Sequence, residues 1–480
     1  MSVRLRIAPS PTGLLHVGNA RSAVFNWLYA RHHGGTFIVR VDDTDTARSE
    51  EKYVAQMMEA MRWLGLDWDE GVGVGGPHGT YRQSDRFDRY REVANRLVDA
   101  GSAYRCFCTP DELDARRQAA QAAGRAPGYD GTCRAHSVAE AEDRVAAGES
   151  FSVRLAIPRP GVTEFFDLVR DDMRFDHEVI DDFVILRSDG TPTYHLASTV
   201  DDVDYEITHV ARGEDLLSST PRHILLTQAM GAEPVTYAHL PLLFGPDGKK
   251  LSKRHGDTSM DAYMKAGYLP EAMFNYMSLL GWSYDPEVTI YTPEQAIEKF
   301  DLADVSKNPA IFDVKKLEWM SGEYMRELAL DDFAARSLAV IEAERSLSDE
   351  QRRQYLALAP LIQERVKVLP EVLEMSDWLF RDEVEFDEKS WDKVMKPEAA
   401  DVIDEALVRL EGLAVWTTES IEAAMRQMLD DLELNPRKGF QPLRVAATGS
   451  MISPPLFESL EVLGQSTTLE RLRRARAQFE

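Results

Sequence analysis

The order of elements across residues 3–64 constrains the fold more than any other feature of the chain. Val3, Leu5 and Ile7 alternate with Arg4 and Arg6, the period of a strand with one face buried. The run Pro9-Ser10-Pro11-Thr12-Gly13 breaks it. Ala20, Ala23, Val24, Trp27 and Leu28 then recur at helical spacing until Gly34-Gly35. A second strand is expected from Phe37 to Val41, ending in the acidic cluster Asp42-Asp43-Thr44-Asp45, and a further helix from Ser49 to Leu64. A strand, a helix and a strand in that order pair in parallel through a right-handed crossover, so the fold class is α/β with a parallel sheet.

The chain of 480 residues is too long for one core, so several domains are expected. The stretch from Tyr81 to Arg187 is irregular and holds all three cysteines. The α/β pattern resumes with a strand at Glu206 to Val210 leading into Ala211-Arg212-Gly213-Glu214-Asp215. A helix follows, N-capped by Thr220 with Pro221 behind it, and ends at Gly231. This is one α/β domain interrupted by a long insertion. After Ser321 glycines become rare and Leu, Ala, Glu and Arg dominate, the texture of helical bundles.

No apolar run is long enough to cross a bilayer, and residues 1–5 lack the features of a secretory signal. The odd cysteine count fits a reducing cytoplasm better than a disulfide framework. The formal net charge of -26 points away from nucleic acid, because phosphate neutralisation favours basic surfaces. Net charge does not report on one face, however, and basic runs exist at Lys249-Lys250, Lys253-Arg254, Arg437-Lys438 and Arg471 to Arg476.

Two motifs carry chemistry. In Pro9 to Asn19, His16-Val17-Gly18-Asn19 opens the first helix, where amides unpaired within the helix and the dipole favour phosphate. His16 can donate to a phosphoryl oxygen, and Gly18 leaves room for a purine ring. In Lys249-Lys250-Leu251-Ser252-Lys253-Arg254, cations on a glycine-flanked loop suit a mobile clamp on a triphosphate. Taken singly, each reads as an ordinary turn or a solvated loop.

Together, H-V-G-N early in an α/β domain and K-L-S-K-R at its far end resemble the signatures of class I aminoacyl-tRNA synthetases. The stretches RIAPSPTGLLHVGNARSAVFNWLYAR, GGTFIVRVDDTD, GGPHGTYRQSDR, DGTPTYHLASTVDD, HLPLLFGPDGKKLSKRHGDTS and FDVKKLEWM resemble the glutamyl-tRNA synthetase family, and QPLRVAATGS fits its bacterial form. The resemblance covers essentially the whole chain. It implies a Rossmann-like catalytic domain in two halves, residues 1–82 and 187–235, around an inserted acceptor-binding domain, 83–186. Residues 236–325 would be a stem-contact region with the K-L-S-K-R loop, and 326–380 and 381–480 two helical anticodon-binding domains. It further implies a cytoplasmic monomer that uses ATP with Mg2+ to join L-glutamate to tRNA(Glu).

By the same resemblance, His16, Gly18, Lys250 and Lys253 serve catalysis. Arg6, Ala8, Ser10, Asp42, Tyr194, Ser198 and Arg212 hold glutamate, whose two carboxylates need cations that arginine supplies bidentately. Pro9, Ser10, His16, Gly18, Asn19, Asp215, Leu243 and Lys253 hold ATP, and Arg365 and Arg444 read the anticodon. The nucleophile, the α-carboxylate of glutamate, is already ionised, so no general base is required. The family usually carries glutamate where this chain has Asp42, one methylene shorter. Asp42 acting through water, or Asp43 sharing the role, are both open. Ser198 stands where some relatives carry asparagine.

Cys106, Cys108, Cys133 and His136 form C-x-C-x24-C-x2-H, donors suited to a structural zinc. In the family the histidine is one residue nearer the last cysteine. That position is Ala135 here, so His136, Tyr129 or water would complete the shell. Competing functions are a paralogue that charges tRNA(Gln) with glutamate, a glutaminyl enzyme, an inactive tRNA-binding paralogue and a small nucleotidyltransferase. The last would not need the helical third.

Overall fold

A computed structural model describes residues 2–124 and 128–479. The chain divides into two compact units, Met1–Met264 with Met273–Asp313, and Lys265–Ala272 with Val314–Glu480.

The first unit is built on the expected α/β order. Strand β1 (Arg4–Ile7), helix α1 (Val17–His32), strand β2 (Thr36–Val39), helix α2 (Glu51–Trp63) and strand β3 (Glu70–Gly71) follow one another. The three strands run parallel, with Arg4 opposite Thr36 and Ile38 opposite Glu70. Leu5, Phe37, Ile38 and Val39 are fully buried, as strands covered on both faces require. Gly35 is demanded by packing: a Cβ there would lie 2.3 Å from the Val3 carbonyl oxygen.

The insertion follows as α3 (Phe87–Asp99), β4 (Ala103–Cys106), α4 (Pro110–Ala122), α5 (Val138–Ala146) and β5 (Ser152–Leu155). Next come β6 (Val162–Asp167), β7 (Asp171–Asp176) and β8 (Val184–Leu186). Strands β4, β5 and β8 form an antiparallel sheet. The β6–β7 hairpin, expected to belong to the insertion, instead joins the main sheet, with β6 parallel to β10 (Thr236–Leu240) and Asp167 opposite Tyr237.

Between them lie α6 (Tyr194–Asp204), β9 (His209–Gly213) and α7 (Thr220–Ala229). The strand expected at 206–210 starts three residues later because Glu206 adopts a left-handed φ of 55° and closes α6 instead. Thr220 is not the cap of α7; Ser219 precedes the helix, and the Thr220 hydroxyl is spent elsewhere.

Strand β9 pairs with β10, and the Thr208 amide donates to the Arg4 carbonyl at 3.0 Å, which sets β9 beside β1. Strand order therefore reverses between β1 and β9. In such sheets the crevice beyond the carboxyl ends of those two strands is where ligands bind.

The second unit is helical, from Val314–Glu327 to Gln465–Arg476. Phe333, Ile341, Tyr355, Leu358, Ile403, Met425, Leu443 and Leu472 are fully buried in its core. The helix Val314–Glu327 runs through the boundary expected at 325–326. Among the described residues, no helix is long and apolar enough to cross a membrane.

Candidate active site

A cavity of about 450 Å³ occupies the crevice at the ends of β1 and β9. Arg6, Ala8, Pro9, Ser10, His16, Gly18, Asn19, Asp42, Tyr194, Arg212, Asp215, Leu243 and Lys250 all line it. The first signature motif and the segment that follows the second, far apart in sequence, meet through peptide groups. The Val17 amide donates to Thr258 O and the Met260 amide to Leu15 O, both at 2.9 Å.

His16 is the N-cap of α1, and its Nδ1 accepts from the Gly18 amide at 3.1 Å. With Nδ1 accepting, the ring proton sits on Nε2, free to donate. Burial first, then Lys250, pushes the His16 pKa down, so the ring is neutral near pH 7. The expectation of unpaired amides at this helix start is corrected. The Val17, Gly18 and Asn19 amides are already bonded to Thr258 O, His16 Nδ1 and His16 O. What the helix offers an anion is its dipole and the His16 Nε2–H. A Cβ on Gly18 would meet only His16 Nδ1, at 3.4 Å, so packing does not demand glycine; its smallness benefits the cavity that it lines.

The second motif is a hairpin rather than an open strap. The Leu251 amide donates to Leu243 O and the Gly245 amide to Lys249 O, each at 2.8 Å, with Leu251 buried. The Ser252 amide donates to His255 Nδ1 at 3.1 Å, while His255 Nε2 lies 3.0 Å from Asp247 Oδ1. Lys250 Nζ stands at the cavity, 3.5 Å from Asp215 Oδ2. Lys253 falls in the short turn Lys253–His255, and its side chain lies outside the described part of the molecule.

The two arginines are held differently. Arg6 Nε and Nη2 donate to the two oxygens of Asp202 at 3.0 and 3.2 Å. That leaves both Nη1 hydrogens and one on Nη2 unspent among the described residues, a two-nitrogen edge suited to a carboxylate. Arg212 spends Nε on His239, one Nη1 hydrogen on Tyr194 Oη, and Nη2 on Leu216 O and Thr220 Oγ1. Among the described residues, one Nη1 hydrogen remains unspent.

Asp42 lines the cavity, with both carboxylate oxygens accepting from Arg40, at 2.7 and 3.2 Å. Burial pushes its pKa up against the pull of Arg40. Asp43 does not share the site: its oxygens accept from the Ser84 amide and hydroxyl, each at 2.8 Å, and it lines a different, smaller cavity. Ser10 donates to Asp42 O at 2.7 Å and so also braces the loop. Ser198 is corrected. It is fully buried behind the wall, accepts from Arg40 Nη2 at 3.2 Å and does not line the cavity.

Sequence reasoning missed Arg21, Arg40, Asp202 and His239. Arg21 lines the cavity from inside α1, donating to Leu280 O at 3.2 Å and Pro241 O at 2.6 Å, with Nε unpaired among the described residues. Burial lowers its pKa to about 10. The signal was its position on the same helical face as Val17, Val24 and Leu28.

In the insertion, the sulfurs of Cys106, Cys108 and Cys133 lie within 4.8 Å of one another. The Tyr129 hydroxyl is 3.4 Å from Cys106 Sγ and 3.9 Å from Cys108 Sγ. His136 is not brought into this cluster; its Nε2 lies 3.3 Å from Arg144 Nη1. In the helical unit, Arg444 Nη1 donates to Ser453 O at 3.2 Å and Pro454 O at 2.5 Å. Burial and the charge of exposed Arg365 lower its pKa.

A nucleotide-sized crevice at a strand-order reversal, flanked by the H-x-G and K-L-S-K-R motifs, defines the class I aminoacyl-tRNA synthetase site. Residues 2–319 match the family described as "tRNA synthetases class I (E and Q), catalytic domain", and residues 326–476 match "Anticodon binding domain". The chain is 46% identical over 482 residues to the glutamate–tRNA ligase of Dehalococcoides mccartyi, covering 99% of this chain and 98% of that one. It is 45% identical over 478 residues to that of Moorella thermoacetica, covering 98% of each. The crystal structure of a glutamate tRNA ligase from Elizabethkingia meningosepticum, in complex with its amino acid, superposes with a TM-score of 0.89 at 32% identity, covering 100% of each chain. The chain belongs to the glutamate–tRNA ligase family.

Proposed function

We propose that the protein joins L-glutamate to tRNA(Glu) in two steps at the expense of ATP. First, an α-carboxylate oxygen of glutamate attacks the α-phosphorus, the bond from that phosphorus to the β-bridging oxygen breaks, and pyrophosphate leaves with the electron pair. Second, a terminal ribose hydroxyl of the tRNA attacks the glutamyl carbonyl carbon and AMP leaves. The observation that carries the reading is the convergence of Arg6 and Arg212 on the cavity that His16 faces. Two arginines converging on one pocket suit an amino acid with two carboxylates better than one with a neutral amide.

Arg6 presents its Nη edge to one carboxylate, and Arg212 with Tyr194 serves the other. Asp42 receives the ammonium group, held by Arg40 at a fixed depth that its shorter chain requires. His16 donates its Nε2 proton in a hydrogen bond to a phosphoryl oxygen, and Lys250 and Lys253 stabilise the charge gathering on pyrophosphate. Magnesium bound with the nucleotide supplies further neutralisation of that charge. Arg365 and Arg444 face the anticodon, where guanidinium planes suit unstacked bases.

The cysteine cluster fits a structural zinc, since three sulfur donors converge and the Tyr129 hydroxyl faces them. Metal analysis of chelator-washed protein tests this, and a stoichiometry near zero refutes it. Pyrophosphate exchange with glutamate or glutamine, with and without tRNA, tests the activity. Absence of exchange under every condition sinks the enzyme reading, and exchange with glutamine alone sinks the amino-acid assignment. Charging of purified tRNA(Glu) and tRNA(Gln) then separates the family member from a paralogue that uses the glutamine tRNA.

A further inference from the structure

Behind the cavity, Arg212 meets two fully buried side chains, His239 in β10 and Thr220 at the start of α7, and a third, Asp167 at the end of β6, holds His239. The β9–β10 register sets Arg212 directly opposite His239. Asp167 Oδ1 is occupied by the amides of His239, Val169 and Arg170 at 3.1, 3.0 and 2.9 Å. Its Oδ2 lies 2.5 Å from His239 Nδ1.

An ionised carboxylate only accepts, so Nδ1 carries the proton. Burial, backed by the charge of Arg212 and set against the bond to Asp167, keeps His239 below its ordinary pKa and therefore neutral. The Nε2 of a neutral ring protonated at Nδ1 is a lone pair. It receives the Thr220 hydroxyl at 2.9 Å and Arg212 Nε–H at 3.2 Å. Thr220 Oγ1 in turn accepts from Arg212 Nη2 at 2.8 Å. Each proton position in the chain is determined by the one before it, starting at a carboxylate whose orientation the backbone amides hold.

We infer that His239 is a positioning residue: its Nε2 lone pair, oriented by Asp167, fixes the guanidinium plane of Arg212 and so aims the one uncommitted Nη1 hydrogen at a glutamate carboxylate. The inference rests on the reading of Arg212 as a partner of glutamate. It explains why the Thr220 hydroxyl turns away from the helix that it begins. It also gives a role to a buried histidine that takes no part in the transfer of the adenylyl group. The guanidinium carbon of Arg212 lies 5.5 Å from the centre of the Tyr237 ring and the group has partners on three edges, so loss of the Nε acceptor frees it to rotate.

The two amide replacements of His239 separate positioning from mere packing. In His239→Asn the side-chain amide reaches only to the Nδ1 position, keeping a donor for Asp167 and offering nothing to Arg212. In His239→Gln the amide oxygen reaches the Nε2 position, giving Arg212 and Thr220 an acceptor while abandoning Asp167. Steady-state charging by the full-length protein would be measured with glutamate and ATP varied separately, beside Arg212→Ala.

His239→Asn is expected to raise KM for glutamate by about tenfold, with KM for ATP within about twofold, and His239→Gln to stay within about threefold of wild type. An unchanged glutamate KM in His239→Asn, a parallel rise in both KM values, or His239→Gln as impaired as His239→Asn overturns the inference. If Arg212→Ala leaves glutamate KM unchanged, the underlying reading of Arg212 fails. If Arg212→Ala is impaired and His239→Asn is not, only the positioning role fails. Thr220→Val, isosteric and lacking the bridging hydroxyl, carries the test should His239→Asn not fold: it too must raise glutamate KM selectively, and an unchanged value is a refutation.

Discussion

Asp202→Asn is the most informative single change at the rear of the pocket. Asp202 is almost fully enclosed and receives Arg6 Nε and Nη2 at 3.0 and 3.2 Å and Arg40 Nη1 at 2.7 Å. Asparagine preserves the shape, removes the charge and turns an NH2 group toward guanidinium donors. Arg40 retains Asp42 and Asp201, the latter 3.6 Å away, whereas Arg6 retains no carboxylate among the described residues. Breaking a buried pair by removing one partner costs about 3 kcal/mol or more, a fall in Tm of about 5–10 °C for a unit of this size.

Burial raises the Asp202 pKa, but Arg6 and Arg40 outweigh it and hold the folded-state value below the ordinary one. A depressed carboxylate contributes stability above its unfolded pKa and loses it as the pH falls through the folded value. Calorimetry should therefore separate wild type and variant fully at pH 7, and the curves should converge only below about pH 4. Glutamate KM should rise as Arg6 loses its fixed edge, and saturating glutamate should recover part of the lost stability, since its carboxylate supplies the missing partner. A variant that melts within about 1 °C of wild type at pH 7 would show that the pair contributes no net stability, and the reasoning about Arg6 would fall with it.

Lys253→Ala should reduce pyrophosphate exchange by about 100-fold while leaving tRNA affinity unchanged in filter binding; undiminished turnover contradicts the clamp role. Arg365→Gln should narrow the difference between charging of tRNA(Glu) and tRNA(Gln), and unaltered discrimination removes that assignment. His195, 3.1 Å from His223, is pushed down to about 4 by burial, with Arg222 and Arg212 adding to the shift. A depressed histidine contributes stability above pH 6.5 that is lost as the pH falls toward 4, here about 3 kcal/mol, and His195→Gln should flatten that part of the stability profile.

The strand–helix–strand opening and the two signature motifs were legible because periodicity and short-range spacing carry them. Glu206 was misread as strand because nothing in its identity announces a left-handed φ. Thr220 looked like a cap, and its hydroxyl proved to serve Arg212. The buried ion pairs were invisible for a physical reason. Arg40 and Asp202 resemble surface residues in any linear reading, and only their convergence from separate elements reveals that each cancels the other's desolvation. Arg21, which bonds to carbonyls rather than carboxylates, was missed as well, although a cation on an apolar helical face is a detectable anomaly. The unpaired amides expected at α1 were a sound inference from helix geometry, defeated by a segment more than two hundred residues away that occupies one of them.

That segment has an evolutionary consequence. The bonds joining residues 15–17 to 258–260 use peptide groups, which every residue except proline can supply as donor and all can supply as acceptor. These bonds therefore do not depend on which side chains stand at the positions that make them. The side chains of Leu15, Val17, Thr258 and Met260 are buried, so packing constrains their size while the bonds themselves place no demand on their chemistry, and an insertion or deletion of a single residue there would shift one half of the nucleotide site against the other.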